Sequence, residues 1–314
     1  MATTVLPSTI DAVLTTSLAD YSRTLTDNIF NGIPVWSRLN SRGNVRRING
    51  GITVIEHALS GKSSAAGFYK GYGTLDTTAQ EGMNLLEYEW QEAFASITIS
   101  RREELQNRGE HQLIALLAAK TQQAEMTLRD KLGQATVQAV AGADELEPLS
   151  NIVNTTALAT IAASTSWFQS TVTASGSFAG QGLSDMRTLF NTVSASGMSD
   201  HPTVIITTQS IYEFYESVTQ PSIRYGSTKE ADAGFINLLF KGQPFTYDQY
   251  CDSGILYMLN ENYLFLVIDS DTDFTTTPFV KPTNQTAKTA QVLWAGALTT
   301  NNRRRHGKLT GVTA

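Results

Sequence analysis

The sequence predicts an α+β protein in which sheets are laid along one long helix. Residues 107–142 carry Leu113, Leu117, Ala124, Leu128, Leu132, Ala135 and Ala139 at steps of three, four and seven, a single apolar stripe of helical period. On both sides of this stretch the pattern changes to alternating, strand-like runs. Between residues 146 and 269, short helix and strand signals are mixed. The long segment has its own stops. Asn107 with Glu110 makes a capping-box pattern, Gly142 with Pro148 marks the end, and Glu125 with Arg129 is spaced for an i,i+4 pair. At about 1.5 Å per residue the helix would be roughly 50 Å long. Ordinary globular helices run to about 8–20 residues, so its length suits a spine.

Composition narrows the class. A chain of 314 residues, 41% hydrophobic and 17% charged, has the makings of one large or two modest folded domains. No window approaches the apolar length of a membrane span. The start, MATTVLPST, lacks the basic and apolar regions of a secretion signal. Cys251 is the only cysteine, which excludes an intrachain disulfide framework and a cysteine-rich metal site and reads as a small buried hydrophobe. A net charge of −6 argues against nucleic-acid binding over the whole surface.

In order along the chain, Ile10, Leu14, Leu18, Tyr21, Leu25 and Ile29 draw a helical stripe on an N-terminal arm that Gly32 and Pro34 end. Nothing after it closes a unit around that stripe, so it is expected to pack elsewhere on the chain or on a neighbour. VRRINGGITVIEHAL (residues 45–59) reads as one or two strands split at Gly50-Gly51. Leu86, Tyr88 and Trp90 then alternate with Glu87, Glu89 and Gln91, which gives one apolar and one acidic face. From Ala95 through Ile97 and Ile99 the apolar phase shifts to odd numbers. A one-residue slip inverts a strand's faces, so a bulge or a passage into another sheet is expected between Glu92 and Phe94. Residues 60–82 connect these strands with glycines at 61, 67, 71, 73 and 82 and no core pattern. Connections beyond about 12–15 residues are usually functional or disordered. Phe68, Tyr69 and Tyr72 lie near its middle, as anchors for a partner or as side chains tucked back locally.

After the spine, residues 151–182 read as loop. A helix is expected over 184–195 with Ser184 as cap, a buried strand over 203–208, a helix over 209–218 and a surface loop over 222–234. Strands are expected at 235–241, 243–248, 255–259 and 263–268, and last at about 277–281 and 290–300, the final pair returning to Ala95–Ser100.

Catalytic and binding motifs fail on inspection. Gly61-Lys62-Ser63 ends like a phosphate loop, but Glu56 holds the first glycine position. Asp269, Asp271 and Asp273 begin like a calcium loop, but Phe274 replaces its glycine and Val280 its closing glutamate, leaving solvated loop carboxylates. His57, His111, His201 and His306 have no metal-ligand spacing. The one basic cluster is Arg303, Arg304 and Arg305 with His306 and Lys308. It can meet nucleic acid or a neighbouring subunit, or pair with acids of its own domain.

The order of these parts resembles the major capsid proteins of tailed bacteriophages, whose fold encapsulin shell proteins share. GFYKGYGTLDTTAQEG, YEWQEAFASITISRREELQNRGEHQLI, GFINLLFKGQPFTYD, LNENYLFLV and NNRRRHGKLTG carry the likeness. It implies the coat-protein fold: an N-terminal arm (1–40), an extended β-hairpin or E-loop (41–92), a peripheral domain with the spine (93–145 and 270–314) and an axial domain (146–269). It implies a structural subunit that builds hexameric and pentameric capsomers and an icosahedral shell around packaged double-stranded DNA. It implies neither enzyme activity, cofactor nor metal. The partners implied are copies of the chain, a separate scaffolding protein and a portal, with DNA faced without sequence-specific binding and no membrane. The location implied is the virion, after assembly in the host cytoplasm. An encapsulin-type nanocompartment is the alternative. Phe68, Tyr69, Tyr72, Arg303, Arg304 and Arg305 are the candidate interface residues. Lys62, Lys70, Asn301 and Asn302 supply the residue types of a covalent crosslink.

Overall fold

The apolar stripe folds as a helix running Glu110–Val137. The computed structural model describes residues 33–61, 64–78, 82–106, 110–138, 140, 142, 144–194, 200–219 and 238–313. The helical stripe of residues 10–29, Asn107 and the loop 222–234 lie outside them. Contacts divide the chain into two units, the described parts of Met1–Ile52, Trp90–Pro148 and Phe265–Leu298, and those of Thr53–Glu89, Leu149–Leu264 and Thr299–Ala314.

The first unit contains α1 (Pro34–Ser41), β1 (Val45–Ile48), β4 (Gln91–Ile99), α2 (Arg101–Gln106), the spine α3 (Glu110–Val137), most of β10 (Leu264–Asp269), β11 (Thr275–Thr276) and most of β12 (Lys288–Thr300). Pro34 opens α1 at its first turn, where a missing N–H costs nothing, so it starts a helix as well as ending the arm. The sheet order is β1-β10-β12-β11, with β4 also on β12. β12 runs antiparallel to β4 from Lys288 opposite Ile99 to Gly296 opposite Gln91, the return pairing that the sequence suggests. Leu117, Leu128 and Leu132 of α3 are buried along with Ile97, Ile99 and Val292 of the sheet, and α3 lies against β4. Trp36 and Trp294 pack with ring centroids 5.2 Å apart and planes tilted by 33°. The Trp36 indole N–H donates to Thr136 Oγ1 (3.0 Å), which ties α1 to the spine.

The spine is shorter than its pattern. α3 ends at Val137, not at Gly142. The Glu145 carboxylate turns back and accepts from Gln138 Nε2 (2.6 Å) and the Gly142 N–H (2.9 Å). Those bonds stabilise a turn where the sequence suggested further helix, and they hold the Glu145 carboxyl below its ordinary range. Arg129 sits 3.9 Å from Asp130. Leu128→Ala is expected to cost about 2–5 kcal/mol, and the exposed Gln122→Ala to stay within about 0.5 kcal/mol. Equal shifts in thermal melting for the two would mean that the buried face is misassigned.

Of the loop carboxylates, Asp271 is exposed as expected, while two are structural partners: Asp269 accepts from the Gly50 N–H (3.2 Å) and Thr272 Oγ1 (2.9 Å), and Asp273 pairs with Arg47 at 2.7 Å. They fasten the end of β1, whose parallel partner is β10. Gly50 and Gly51 then take φ of 64° and 116°, which a side chain would resist, and the strand run breaks there.

The second unit holds an antiparallel ribbon of β2 (Val54–Leu59) and β3 (Met83–Tyr88), and a six-stranded sheet. The sheet order is β5 (Thr171–Ala174), β13 (Gly307–Thr310), β9 (Leu256–Leu259), β6 (Val204–Thr207), β8 (Gln243–Tyr247), β7 (Leu239–Phe240). Helices α4 (Leu149–Ile152), α5 (Leu183–Val193) and α6 (Gln209–Thr219) complete the unit. Leu189, Phe190, Val193, Ile211 and Tyr215 from the helices share a core with Ile205, Phe245, Met258 and Leu309 from the strands. The predicted loop 151–182 contains β5, paired parallel to β13. β13 was hidden in the basic tail: Gly307 lies under Leu189 and Val193, where an added Cβ would come within 2.7 and 2.8 Å of them. Residues 299–313 therefore pack in the second unit, whereas the sequence suggested that all of 270–314 lies beside the spine.

The phase change near residue 92 is resolved by two strands in two sheets. β3 pairs with β2, and β4 pairs with β12.

Candidate subunit interfaces

The ribbon alternates strictly. Val54, Ala58, Leu86 and Tyr88 are buried, while Ile55 (51% exposed), Leu59 (76%), Met83 (64%) and Leu85 (50%) face out. Cross-strand partners on the outer side are Ile55 with Glu87, His57 with Leu85, and Leu59 with Met83. The face expected to be acidic is apolar along half its length. The signal was present, since Met83 and Leu85 share the parity of Glu87, but the two carboxylates of Glu87 and Glu89 masked it.

The base of the ribbon is fixed by buried polar bonds. Tyr88 Oη donates to the Thr300 carbonyl (2.8 Å), and Thr299 Oγ1 donates to the buried Glu56 carboxylate (3.2 Å). Thr160 Oγ1 donates to the Leu85 carbonyl (2.9 Å). Beyond that base, the described residues 64–78 form only bends and a turn, with Gly73 N bonded to Lys70 O. Phe68, Tyr69 and Tyr72 are displayed there at 110%, 67% and 108% relative exposure. They are not tucked back.

The arginines separate into three situations. Arg303 is 1% exposed, and its guanidinium donates to the backbone carbonyls of Ile152 (2.7 Å), Thr156 (2.5 Å) and Asn151. Ser170 Oγ adds a bond to the Arg303 carbonyl (2.8 Å). Arg303 is thus a buried tie within its own unit, and its proposed interface role gives way to that one. Arg305 lies 3.0 Å from Asp200 Oδ2 and donates to the Val193 carbonyl (3.2 Å), which is the pairing with a nearby acid that the sequence left open. Arg304 alone is exposed.

Two further members of the cluster are buried. Lys308 Nζ donates to the Ser150 carbonyl (3.0 Å); burial, then the charge of Arg303, holds its amine below the ordinary lysine range. His306 is fully enclosed. Its Nδ1 accepts from the Asn260 N–H (3.3 Å), so the neutral ring carries its proton on Nε2, facing Thr300 Oγ1 (3.2 Å). Burial, opposed by a backbone bond and reinforced by Arg303, lowers its pKa to about 3. As pH falls from about 6.5 toward 3, the unfolded chain binds a proton that the folded chain refuses. Folding stability should then fall by up to about 1.4 kcal/mol per pH unit from this residue, with none lost above pH 6.5. His306→Asn keeps an acceptor for Asn260 without the titration. Its denaturant midpoint should vary less than wild type's between pH 6.5 and 4; equal slopes would place the acid sensitivity elsewhere.

Among the described residues no group of His, Cys, Asp and Glu is arranged to hold a metal ion, and no helix is long and apolar enough to cross a membrane. Cys251 is buried, which pushes its thiol up to about 12.

A long helix against a mixed sheet, an antiparallel ribbon and a mixed α/β unit are the parts of a fold found in phage capsid chains. The chain aligns with one from the Cyanophage A-1(L) capsid asymmetric unit at a TM-score of 0.61 and 14% identity, over 88% of this chain and 93% of that one. It aligns with one from the satellite phage P4 procapsid including size determination (Sid) protein at 0.57 and 10%, over 93% and 90%. For the capsid of the native GTA particle the values are 0.60 and 10%, over 87% and 89%. No protein-family model and no curated protein sequence matches. At such identities the likeness establishes the fold.

Proposed function

We propose that this chain is a major capsid protein, the structural subunit of an icosahedral shell that encloses the double-stranded DNA of a tailed bacteriophage. The observation that carries the reading is a fold shared with capsid chains along nearly the whole of both partners. The physical features support it. A shell subunit must reach its neighbours, and here three aromatics and an apolar ribbon face lie in water on the isolated chain. Closed symmetry repeats each such contact many times, so none has to be strong alone.

In this reading residues 1–40 are an arm and 41–92 the extended loop. Residues 93–145 and 265–298 make the peripheral part, because β10 lies in its sheet. Residues 146–264 make the axial part, with 299–313 added because they complete its sheet. Hexameric and pentameric capsomers assemble with a scaffolding protein and a portal in the host cytoplasm, and the product is the virion shell. The chain needs no cofactor and performs no catalysis. Its net charge of −6 lets it face DNA without gripping it. No observation favours an encapsulin-type compartment over this reading.

Electron microscopy and sedimentation of the purified chain test it. Closed shells or capsomers are expected. A well-folded monomer alone, even with the cognate scaffold supplied, would overturn the proposal.

A further inference from the structure

A small polar cleft lies beside the loop end of the ribbon in the second unit, about 80 Å³ in volume and lined among others by Leu59, Ser60, Trp167, Asn301, Asn302 and Arg304. It is rich in unused donors. Arg304 makes no hydrogen bond or ion pair among the described residues, and neither do the side-chain amides of Asn301 and Asn302 or the hydroxyl of Ser60. The neighbouring Arg305 is neutralised by Asp200, which leaves Arg304 as the unspent charge.

These donors fit an anionic oxygen group. The volume is that of two or three waters at about 30 Å³ each, which is room for one carboxylate. Arg304 in the cleft, on a chain of net charge −6, is also a poor grip for a polyanion. The chain itself offers the complement. Glu87, Glu89 and Glu92 are exposed within six residues of one another and make no ion pair among the described residues.

We propose that this cleft receives a carboxylate of the Glu87–Glu92 run from a second copy of the chain. The Arg304 guanidinium then forms the charge-assisted bonds, with the Asn301 and Asn302 amides beside it. Donor and acceptor lie on different patches, so the contact is heterologous and closes into a ring only under rotational symmetry. The cleft would orient one subunit on the next and make assembly sensitive to salt. The inference rests on the shell reading, and the experiment separates the two.

Wild type, Arg304→Gln, Arg304→Lys and Arg304→Glu are assembled in parallel without DNA, and shells are counted by electron microscopy and light scattering at increasing salt. Circular dichroism checks the fold. Arg304→Gln should raise the concentration needed for assembly by roughly tenfold, and Arg304→Glu should stop assembly. Reversal at Glu87, Glu89 or Glu92 to Arg should then restore shells to Arg304→Glu. Folded Arg304→Gln that assembles like wild type overturns the proposal, as does an Arg304→Glu defect that none of the three reversals relieves. Normal empty shells that retain DNA poorly would assign Arg304 to nucleic-acid phosphate and overturn it too. Wild-type protein that never assembles overturns the shell reading itself, and this inference with it.

Discussion

Replacing residues 61–82 by a short Gly-Ser turn is expected to leave a folded subunit that no longer builds a stable shell. The fold should survive because the base of the ribbon is held from below. Tyr88 to Thr300, Thr299 to Glu56 and Thr160 to Leu85 all lie outside the deleted stretch. The shell should fail because Phe68, Tyr69 and Tyr72 have no place on their own subunit. An aromatic side chain buries on the order of 150–250 Å² in a contact, and each subunit would lose three. Changing the three to Ser should weaken the shell in the same direction, with the loop length kept. Circular dichroism checks the fold, and electron microscopy with heat challenge counts the shells. Wild-type yield and heat resistance from the shortened chain would make the stretch a passive surface loop.

Arg303→Gln is expected to cost the subunit about 3–5 kcal/mol of stability, while Arg304→Gln changes it by less than about 0.5 kcal/mol. Arg303 is almost fully enclosed, and its guanidinium satisfies three carbonyls around the end of α4. A shorter amide reaches at most one of them, and buried acceptors left unpaired cost about 1–3 kcal/mol each. Arg304 is exposed and makes no hydrogen bond or ion pair among the described residues. Denaturant unfolding of the two variants measures the difference. Equal midpoints would refute the buried assignment. Replacing all three arginines together would test nothing about DNA or neighbours, because the loss of Arg303 would unfold the end of the chain first.

The neighbouring positions 303 and 304 illustrate what a local reading can and cannot reach. A basic run is legible as charge, but which member is buried depends on carbonyls of residues 151–156, far away in sequence. The same holds for β13. GKLT carries a lysine and a glycine, a poor strand by composition, yet it pairs with both β5 and β9. Lys308 is tolerated there because the Ser150 carbonyl receives it. The ribbon's outer face was half legible, since alternation gives the parity of each side chain but not which parity meets a core.

The sequence by itself determined the elements whose cause is periodic and local. The stripe of Leu117, Leu128 and Leu132 fixes the spine, and the break at Gly50-Gly51 follows from backbone freedom. The phase change between Tyr88 and Ala95 separates two strands because side chains on a strand must alternate. Tertiary structure decided the rest. It ended the spine at Val137 by recruiting Glu145, turned the Asp269 and Asp273 carboxylates into ties for β1, and drew residues 299–313 into the second unit. It also buried Arg303, His306 and Lys308 and left Arg304 outside. Each of these depends on a partner distant in the chain. A buried polar group takes whichever partner the fold brings near, and only the assembled fold brings it there.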